Sequence, residues 1–275
     1  MTRMRGAALL MVLWLILLLG GLVAGYALSA RVESQQGNGL ARDLAAREAA
    51  RAGMEYAVQR MLDPNPRLRW AADGRANRFV FEGTPVEVEV RDETAKIDLN
   101  GAQPELLQAF FVALGEPRDR AAKLAAAIVD WRDADSLTQP GGGAEDGDYS
   151  AAGLAWGAKD APFASVAELE QVLGMRPALY AAAAPHLTVY TGSPMPDTQF
   201  ADGLVLQAMG MNGKIPPVDP NAPPRAGSGT YSIDSRARRT DGRSARISVV
   251  VRMGGNGLPG STYTPLRWQV DGGWQ

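Results

Sequence analysis

The sequence predicts an α+β fold in which a long N-terminal helix packs on an antiparallel sheet, with an all-helical domain inserted between the strands. Three observations lead to this prediction. An apolar stretch without charges opens the chain and continues into an amphipathic helical segment. Alternation of apolar and polar residues predicts strands both early and late in the chain. Between these strands, residues 98–191 have apolar side chains at helical spacing.

The composition excludes several kinds of chemistry. The 275 residues contain no cysteine and a single histidine, His186. Disulfides, thiolate zinc sites, iron–sulfur clusters and cysteine nucleophiles are therefore excluded. His186 is expected to be structural, because the chain has no G-x-S-x-G motif that could supply a triad serine. The net charge of -2 argues against general nucleic-acid binding, which needs a basic surface.

Residues 7–30 predict a membrane-spanning helix, because none of these 24 residues is charged. A helix of this length reaches about 36 Å, and the hydrocarbon core of a bilayer is about 30 Å thick. Arg3 and Arg5 come first, so the positive-inside rule keeps the N terminus in the cytoplasm and places the bulk of the chain outside. A plain anchor fits this pattern. A cleaved signal peptide with small residues near Ala30 is an alternative, although its apolar core would span only about 7–15 residues.

A third interpretation follows from residues 5–14, RGAALLMVLW, in which a short basic leader ends in glycine and the apolar stretch begins at once. This pattern resembles a type IV prepilin leader. The resemblance implies that a prepilin peptidase cuts between Gly6 and Ala7, removes residues 1–6, and leaves the span with a methylated new terminus. Most pilin-like proteins have glutamate at the fifth mature position, where this chain has Met11. A carboxylate inside a bilayer costs about 2.5–3.5 kcal/mol and needs a partner, and the K-type minor pseudopilin of type II secretion lacks it.

The N-terminal helix is expected to continue beyond the membrane. Residues 40–62 have an apolar stripe that starts at Ala50 and recurs at i+4, i+8 and i+11, and the sequence DPNP at residues 63–66 ends the helix. The sequence Gly-Asn-Gly at residues 37–39 interrupts this pattern and predicts a kink or a local thinning of the helix. A long helix that starts in the membrane and packs its second half on a domain is the layout of pilins, although an anchor followed by a separate amphipathic helix fits the stripe equally well.

The rest of the chain predicts strands, then helices, then strands. Strands are expected at residues 79–81, 86–90, 246–253 and 266–270, and helices at residues 103–114, 119–131 and 177–184. Residues 165–168, SVAE, match a capping box. Residues 193–229 are rich in Pro, Gly, Asn and Asp and predict a loop. Because neither strand pair makes a stable sheet alone, the strands predict one sheet with a helical insertion; two separate domains are the alternative.

Four blocks of sequence support a specific relationship. They are residues 96–107 (KIDLNGAQPELL), 130–149 (with DWRDAD and GAED), 162–169 (PFASVAEL) and 184–192 (APHLTVYTG). In this order they resemble the general secretion pathway protein K (GspK) family. The resemblance implies a type IV pilin-like fold that is divided into a prepilin leader (1–6), the transmembrane half of the helix (7–30), a pilin-like domain in two parts (31–97 and 192–275) and a helical insertion domain (98–191). After Gly192 only a generic strand pattern remains.

Residues 130–148 form an acidic window with six acidic residues and one basic residue, Arg132. Glycines at 141–143 can fold its two acidic groups together, and hard oxygen ligands without His or Cys suit Ca²⁺ better than zinc or copper. A solvated acidic loop is the alternative, but the GspK family binds calcium in its helical region, and this favours a metal. The expected Ca²⁺ ligands are Asp133, Asp135, Glu145 and Asp146, with Asp130 or Asp148 in reserve.

By the same resemblance the chain is a minor pseudopilin of a type II protein secretion system. This implies a single-pass protein of the bacterial inner membrane with its bulk in the periplasm. It would cap the pseudopilus tip with I-type and J-type minor pseudopilins and help to export folded proteins. Neither enzymatic activity nor nucleic-acid binding is expected. The alternatives are a membrane-anchored periplasmic module that binds a secreted substrate or DNA, and a minor pilin of a type IV pilus.

Overall fold

The computed structural model describes residues 5–211, 227–255 and 261–273. Its longest element is helix α1 (Arg5–Met61), which has two parts with different surroundings. In the first part, Leu9–Ser29 is long and apolar enough to cross a membrane, and no residue of that stretch is buried. The second part packs on a sheet through small and apolar side chains such as Ala50 and Met54.

Helix α1 is continuous through residues 37–39, so the Gly-Asn-Gly sequence does not end the helix. A tertiary contact supports the helix there, because the carbonyl oxygen of Gly39 accepts a hydrogen bond of 2.7 Å from Nη1 of Arg243. Glycine lowers helix propensity by about 1 kcal/mol. A contact of this kind, together with the packing of the following turns, is sufficient to offset that cost.

The other elements form a sheet and a helical block. In chain order they are β1 (Asp73–Phe81), β2 (Thr84–Asp92), β3 (Ile97–Asp98), α2 (Pro104–Ala113), α3 (Arg118–Arg132), α4 (Asp146–Ala151), α5 (Pro177–Ala183), β4 (Leu187–Thr188), α6 (Gly203–Ala208), β5 (Thr230–Arg238), β6 (Ser244–Met253) and β7 (Tyr263–Gly273).

Five strands form one antiparallel sheet in the order β1-β2-β5-β6-β7. The helical block therefore separates β2 from β5 in sequence but not in the sheet. One face of the sheet is buried against α1, with Val88, Ile233 and Val249 fully buried. Gly53 permits the close packing, because a Cβ there would overlap the hydroxyl of Ser235 and lie 2.7 Å from Cγ1 of Val86. The predicted α+β class, a long helix on an antiparallel sheet, is confirmed.

The helical block has its own core. Helices α2 and α3 pack together around the fully buried Leu107, Phe110, Phe111 and Ile128. Strands β3 and β4 form a short parallel pair in which Ile97 pairs with Leu187, so the chain enters and leaves this core side by side. Helices predicted at this point in the sequence are therefore present, with bounds that differ by one or two residues.

Two local predictions fail in the block. The predicted loop at residues 193–229 contains α6, whose Val205 and Leu206 are buried in the helical core; residues 212–226 lie outside the described residues. The predicted capping box at residues 165–168 does not form, because Ser165 precedes a 3₁₀ turn and its side chain makes no capping bond. Glu168 instead accepts a hydrogen bond of 3.0 Å from the backbone N–H of Ala164.

A buried carboxylate joins the sheet to the helical block. Glu93 is 1% exposed, and its Oε1 accepts hydrogen bonds of 2.6 Å from Nζ of Lys96 and from the hydroxyl of Ser232 on β5. Its Oε2 accepts one from the hydroxyl of Thr188 on β4. An acid buried in this way is held by its partners, since an unpaired buried charge is costly.

The chain leaves the sheet for the helical block at the end of the sheet farthest from the membrane-length stretch. The β5–β6 hairpin contacts α1 near Gly39, whereas the opposite end of the sheet lies beside the C-terminal end of α1. There the backbone N–H of Trp70 donates to the carbonyl oxygen of Arg60 at 3.2 Å, and that of Asp92 donates to Ala72 at 3.0 Å. Asp92 ends β2, which is where the chain leaves the sheet for the helical block.

Candidate functional site

Three carboxylates of the acidic window meet in one cluster: Asp130, Asp133 and Glu145. Each contributes one oxygen, and the three oxygens all lie within 4.8 Å of one another. Asp130 lies in the last turn of α3, Asp133 follows the end of that helix, and Glu145 precedes the first residue of α4. Because residues three apart lie on the same side of a helix, the end of α3 presents its two aspartates together, and the loop brings Glu145 to them.

The cluster is desolvated and short of hydrogen-bond donors. Asp130 is fully buried, and Asp133 and Glu145 are half-buried. Within the described residues, one buried oxygen of each carboxylate has no hydrogen-bond partner: Oδ2 of Asp130, Oδ1 of Asp133 and Oε1 of Glu145. A buried polar atom without a partner costs about 1–3 kcal/mol, and more when it is charged. Three such oxygens in one place could hold a cation.

Gln139 donates hydrogen bonds to two of the same carboxylates, on the side away from the centre of the cluster. Its backbone N–H donates a hydrogen bond of 3.0 Å to Oδ1 of Asp130, and its side-chain amide lies 3.3 Å from Oδ2 of Asp133. These bonds orient the two aspartates and leave the unpartnered oxygens inside the cluster. Gly143 packs directly against the carboxylate of Asp130, because a Cβ at this glycine would overlap Oδ2 of Asp130 and lie 2.8 Å from its Cγ.

The electrostatics of the cluster oppose ionisation. Burial, followed by the repulsion of Asp130, Asp160 and the other nearby carboxylates, raises the pKa of Glu145 to about 7. Burial also raises the pKa of Asp130, against the stabilising hydrogen bond from Gln139. Like charges at close range and low hydration both favour the protonated acids. A bound cation would reverse both effects.

The residues fit a hard divalent cation. Carboxylate oxygens with additional backbone or water oxygens are the ligands of Ca²⁺, whereas zinc and copper sites use sulfur or imidazole. The single histidine is elsewhere, since Nδ1 of His186 lies 2.6 Å from Oδ2 of Asp202, the residue that caps α6. His186 thus has a structural partner inside the helical block.

Of the four predicted ligands, the structure brings two into the cluster and leaves two outside. Asp133 and Glu145 are in it. Asp135 is exposed and accepts a hydrogen bond of 2.8 Å from the backbone N–H of Leu137. Asp146 is exposed at the start of α4, where its carboxylate lies against Gly157.

The two reserve ligands, Asp130 and Asp148, also lie in different places. Asp130 is the third member of the cluster, whereas Asp148 is exposed and accepts a hydrogen bond of 3.0 Å from the backbone N–H of Glu145. A signal in the sequence points to Asp130: it lies two residues after Ile128 and next to Trp131 in the apolar part of α3. An acid there must be buried and therefore needs partners.

Three of the four sequence blocks meet around the buried side chain of Asp98 and the partly buried side chain of Asn100. Asp98 accepts hydrogen bonds from the backbone N–H groups of Asn100 at 2.8 Å, Thr191 at 2.8 Å and Gly192 at 2.8 Å. The side chain of Asn100 in turn bonds the backbone of Phe163. Three of the four blocks are thereby tied together, and these residues hold the fold of the block rather than a ligand.

The anchor residues lie at the other end of the molecule. Gly6 and Ala7 lie in the first turns of α1, whereas residues 1–4 of the predicted leader lie outside the described residues. Met11 is 75% exposed on the membrane-length stretch. No acidic residue occurs between Ala7 and Ser29.

An exposed membrane-length helix whose second half packs on an antiparallel sheet is the architecture of the pilin-like proteins. Residues 88–192 of the chain match the family model described as type II secretion system (T2SS), protein K. Over these residues the resemblance to the protein K (GspK) family that was predicted from the sequence is confirmed.

A solved structure has a similar fold. One chain of the crystal structure of the GspK–GspI–GspJ complex from the type 2 secretion system of enterotoxigenic Escherichia coli is 17% identical, with a TM-score of 0.59. The similarity covers 88% of this chain and 99% of that chain. None of the curated proteins matches the chain.

Proposed function

We propose that this protein caps the tip of a short periplasmic pseudopilus, together with I-type and J-type minor pseudopilins, and so helps a type II system to export folded proteins. It is anchored in the bacterial inner membrane by α1, with the sheet and the helical block in the periplasm. Its work is mechanical and does not require an enzymatic site. The observation that carries the proposal is Met11.

Met11 occupies the position at which most pilin-like proteins have a glutamate. A carboxylate in a bilayer needs a partner, and in a pilus that partner is the terminal ammonium of a neighbouring subunit. A subunit at the tip has no neighbour ahead of it, so the charge would remain unpaired. The apolar, 75% exposed Met11 avoids that cost.

The position of the helical block supports the same role. The chain enters the block from the end of the sheet that is farthest from the membrane-length stretch, beside the C-terminal end of α1. A subunit added on top of this one would meet the block. The similar solved structure is a complex of GspK with GspI and GspJ, and this supports the same type of partners here.

Assembly and export test the proposal. The full chain should co-purify from membranes with the I-type and J-type subunits of its own system, and its deletion should abolish export of that system's substrates. Salt-dependent retention on DNA without such co-purification would instead support a nucleic-acid-binding module. Assembly only with the subunits of a type IV pilus would support a minor pilin.

Processing of the N terminus tests the pilin assignment separately. We propose that prepilin peptidase cuts between Gly6 and Ala7 and that the new terminus is methylated. Mass spectrometry should then find a mature chain that starts at Ala7, and Gly6→Leu should accumulate the unprocessed chain. A mature chain that starts near Ala30, or a normally processed Gly6→Leu variant, would contradict the proposal.

We also propose that Asp130, Asp133 and Glu145 bind Ca²⁺. The ion would supply positive charge to oxygens that have no donor, and so stabilise the loop between α3 and α4. Gln139 and Gly143 hold the carboxylates around that position. Calorimetry on the purified full chain in detergent should detect binding, and a lack of heat at millimolar calcium would contradict it.

A further inference from the structure

A cleft separates the helical block from the face of the sheet opposite α1. We name it the block–sheet cleft and define it by six residues: Ser248, Val250 and Arg267 on the sheet side, and Tyr180, Pro185 and Tyr190 on the block side. Its volume is about 810 Å³, which is within the range of about 300–1,000 Å³ for ligand sites. None of the three carboxylates of the acidic cluster lines it.

The sheet wall of the cleft is the face that α1 does not cover. Arg267 pairs with Val250 on the neighbouring strand, and paired residues point to the same face. The next residue, Trp268, pairs with Val249, which is buried in the core beneath α1. Because successive residues of a strand point to opposite faces, Arg267 and Val250 face the helical block.

The charges of the cleft are not balanced, because five basic and four acidic side chains line it. Four of the basic side chains have acidic partners: Arg91 with Glu89, Lys96 with Glu93, and Arg236 and Arg246 with Asp234. The fourth acid, Asp202, pairs with His186. Arg267 forms no salt bridge within the described residues, so the unbalanced charge of the cleft lies on this side chain.

Arg267 uses one of its donors within the described residues. Its Nη2 donates a hydrogen bond of 3.1 Å to the hydroxyl of Ser248, whereas a guanidinium has five N–H donors in a planar fork. The hydroxyls of Tyr180 and Tyr190 form no hydrogen bond in the part of the chain that the structure describes. Burial raises the pKa of both tyrosines, and the positive charge of Arg267 opposes the rise in each. The guanidinium is therefore within electrostatic reach of both hydroxyls.

These three side chains offer hydrogen-bond donors to one anion. A planar carboxylate accepts two parallel hydrogen bonds from a guanidinium, and charge-assisted bonds of this kind are about twice as strong as neutral ones. A phosphate dianion fits less well, because the cleft has a single unbalanced positive charge and Glu89 and Glu93 would repel a second negative charge. The chemistry of the cleft therefore selects a carboxylate.

The dimensions of the cleft fit an extended chain. Its sheet wall reaches from Arg91 on β2 to Arg267 on β7, across three strand spacings of about 4.8 Å each, or about 14 Å. An extended chain rises about 3.3 Å per residue, so about four or five residues cover this distance. Small apolar side chains line the opposite wall, among them Val166, Ala181 and Pro185. They leave room for the side chains that flank a bound carboxylate.

We propose that the block–sheet cleft binds an extended acidic peptide segment of another protein, with one carboxylate of the segment held by Arg267, Tyr180 and Tyr190. The guanidinium supplies the charge and the planar fork, and the two hydroxyls donate from the side of the block. Binding here does not depend on the place of the chain in a pseudopilus, since all the named contacts lie within one subunit.

Libraries of capped pentapeptides test the site on the purified full chain in detergent. The peptides are random at four positions and have glutamate, glutamine or lysine at the centre. The immobilised chain should retain the glutamate library about tenfold or more above the glutamine library, because the neutral amide loses the charge-assisted bonds. Equal retention of these two libraries, or stronger retention of the lysine library, would overturn the proposal.

Arg267→Gln should remove the preference for glutamate, and Tyr180→Phe and Tyr190→Phe should each lower it about threefold or more. Arg267→Lys should keep only part of the preference, because lysine retains the charge but lacks the fork. A preference that Arg267→Gln leaves unchanged would overturn the proposal.

Arg238→Gln is the matched control for Arg267→Gln. Arg238 is exposed, lies on the same face of the sheet as Arg236, forms no salt bridge within the described residues and lies outside the cleft. This variant should keep the preference for glutamate. If it loses as much of the preference as Arg267→Gln does, general positive charge holds the peptides and the proposal is overturned.

Propionate distinguishes a peptide segment from a free acid. It has the same carboxylate without a chain, so it should displace the glutamate library only at about hundredfold higher concentration than the peptides themselves. Displacement at equal concentration would show a site for small acids and overturn the peptide assignment. Unchanged thermal unfolding shows that the variants are folded, and Arg267→Lys serves in place of Arg267→Gln if that variant unfolds.

Discussion

Asn100 and Phe163 exchange two hydrogen bonds across 63 residues of sequence. The side-chain Nδ2 of Asn100 donates to the backbone oxygen of Phe163 at 3.0 Å, and the backbone N–H of Phe163 donates to Oδ1 of Asn100 at 2.7 Å. The Asn100 side chain thus forms with Phe163 the pair of hydrogen bonds that a neighbouring strand would form. Phe163 is buried and packs against Trp131, one residue away from Asp130. The relationship links the fold of the helical block to its acidic cluster.

Asn100→Ala should destabilise the helical block by about 1–3 kcal/mol, because the backbone N–H and carbonyl of Phe163 lose their partners in a partly buried place. Denaturant unfolding of the purified full chain in detergent measures the change. Gln103→Ala is a suitable control, since Gln103 is exposed and its side chain makes no capping bond. Equal stability of the two variants would contradict the role assigned to Asn100.

Asp130→Asn should weaken calcium binding about tenfold or more, because it removes a charged ligand from the centre of the cluster. Without calcium the same variant should be more stable than the wild-type chain, since it relieves repulsion among the three acids. Calorimetry and thermal unfolding, each with and without calcium, measure both effects.

Asp135→Asn is the matched control for this change. Asp135 lies in the same acidic window but is exposed and outside the cluster. Its substitution should leave calcium affinity within about twofold of the wild-type value. If Asp135→Asn weakens binding as much as Asp130→Asn does, the ion is held by the overall charge of the window and not by the three named carboxylates.

Gly143→Ala should lower both stability and calcium affinity, because the added methyl group displaces the carboxylate of Asp130. We expect a loss of about 1–3 kcal/mol in the free energy of unfolding. Gly147→Ala, four residues later, provides the comparison: it lies in α4 with no atom within 4 Å of a new Cβ. That variant should be neutral or more stable by up to about 1 kcal/mol. Thermal unfolding measures both variants, and a Gly143→Ala midpoint equal to or above that of Gly147→Ala would contradict the prediction.

The raised pKa of Glu145 predicts a pH dependence of definite sign. Its pKa rises from the usual 4.5 to about 7 in the folded chain, so the folded state holds this proton more tightly than the unfolded state. Without calcium, the contribution of Glu145 to stability is therefore most favourable below about pH 4.5 and declines as the pH rises toward 7. Thermal unfolding in calcium-free buffers across this range measures the decline.

Calcium binding should depend on pH in the opposite direction. The carboxylates must be ionised to bind the ion, so affinity should rise with pH up to about pH 7, by at most about tenfold per unit for a single proton. Glu145→Gln should flatten this profile while it weakens binding. A wild-type affinity that does not change between pH 5 and pH 7 would contradict the raised pKa of Glu145.

Much of the fold was predictable because it depends on local patterns. The alternation around Val88 predicts β2, and the apolar stripe from Ala50 predicts the buried side of α1. Strand β5 gave no comparable signal, since its buried residues include Ser235 and Ala237. Ser235 is buried because Gly53 brings α1 close to it. That fit is a property of the packed molecule.

The candidate metal site was predictable in composition but not in membership. The density of acids in residues 130–148 indicates a cation, and the missing cysteine and histidine ligands indicate a hard one. Spacing alone does not distinguish Asp130 from Asp135. The distinction depends on burial, since the helix end places Asp130 against the core and Asp135 in solvent.

The sequence by itself determined the membrane-length apolar stretch, the class of fold and the chemistry that the chain excludes, because charge, apolar length and residue type are local properties. Only the tertiary structure decided which three acids meet, which polar residues hold the helical block together, and that Arg267 faces two tyrosines of the helical block across a cleft. Each of these depends on residues far apart in the chain. Their distances are set by the packing of α1 on the sheet and of α2 on α3, which no local pattern specifies.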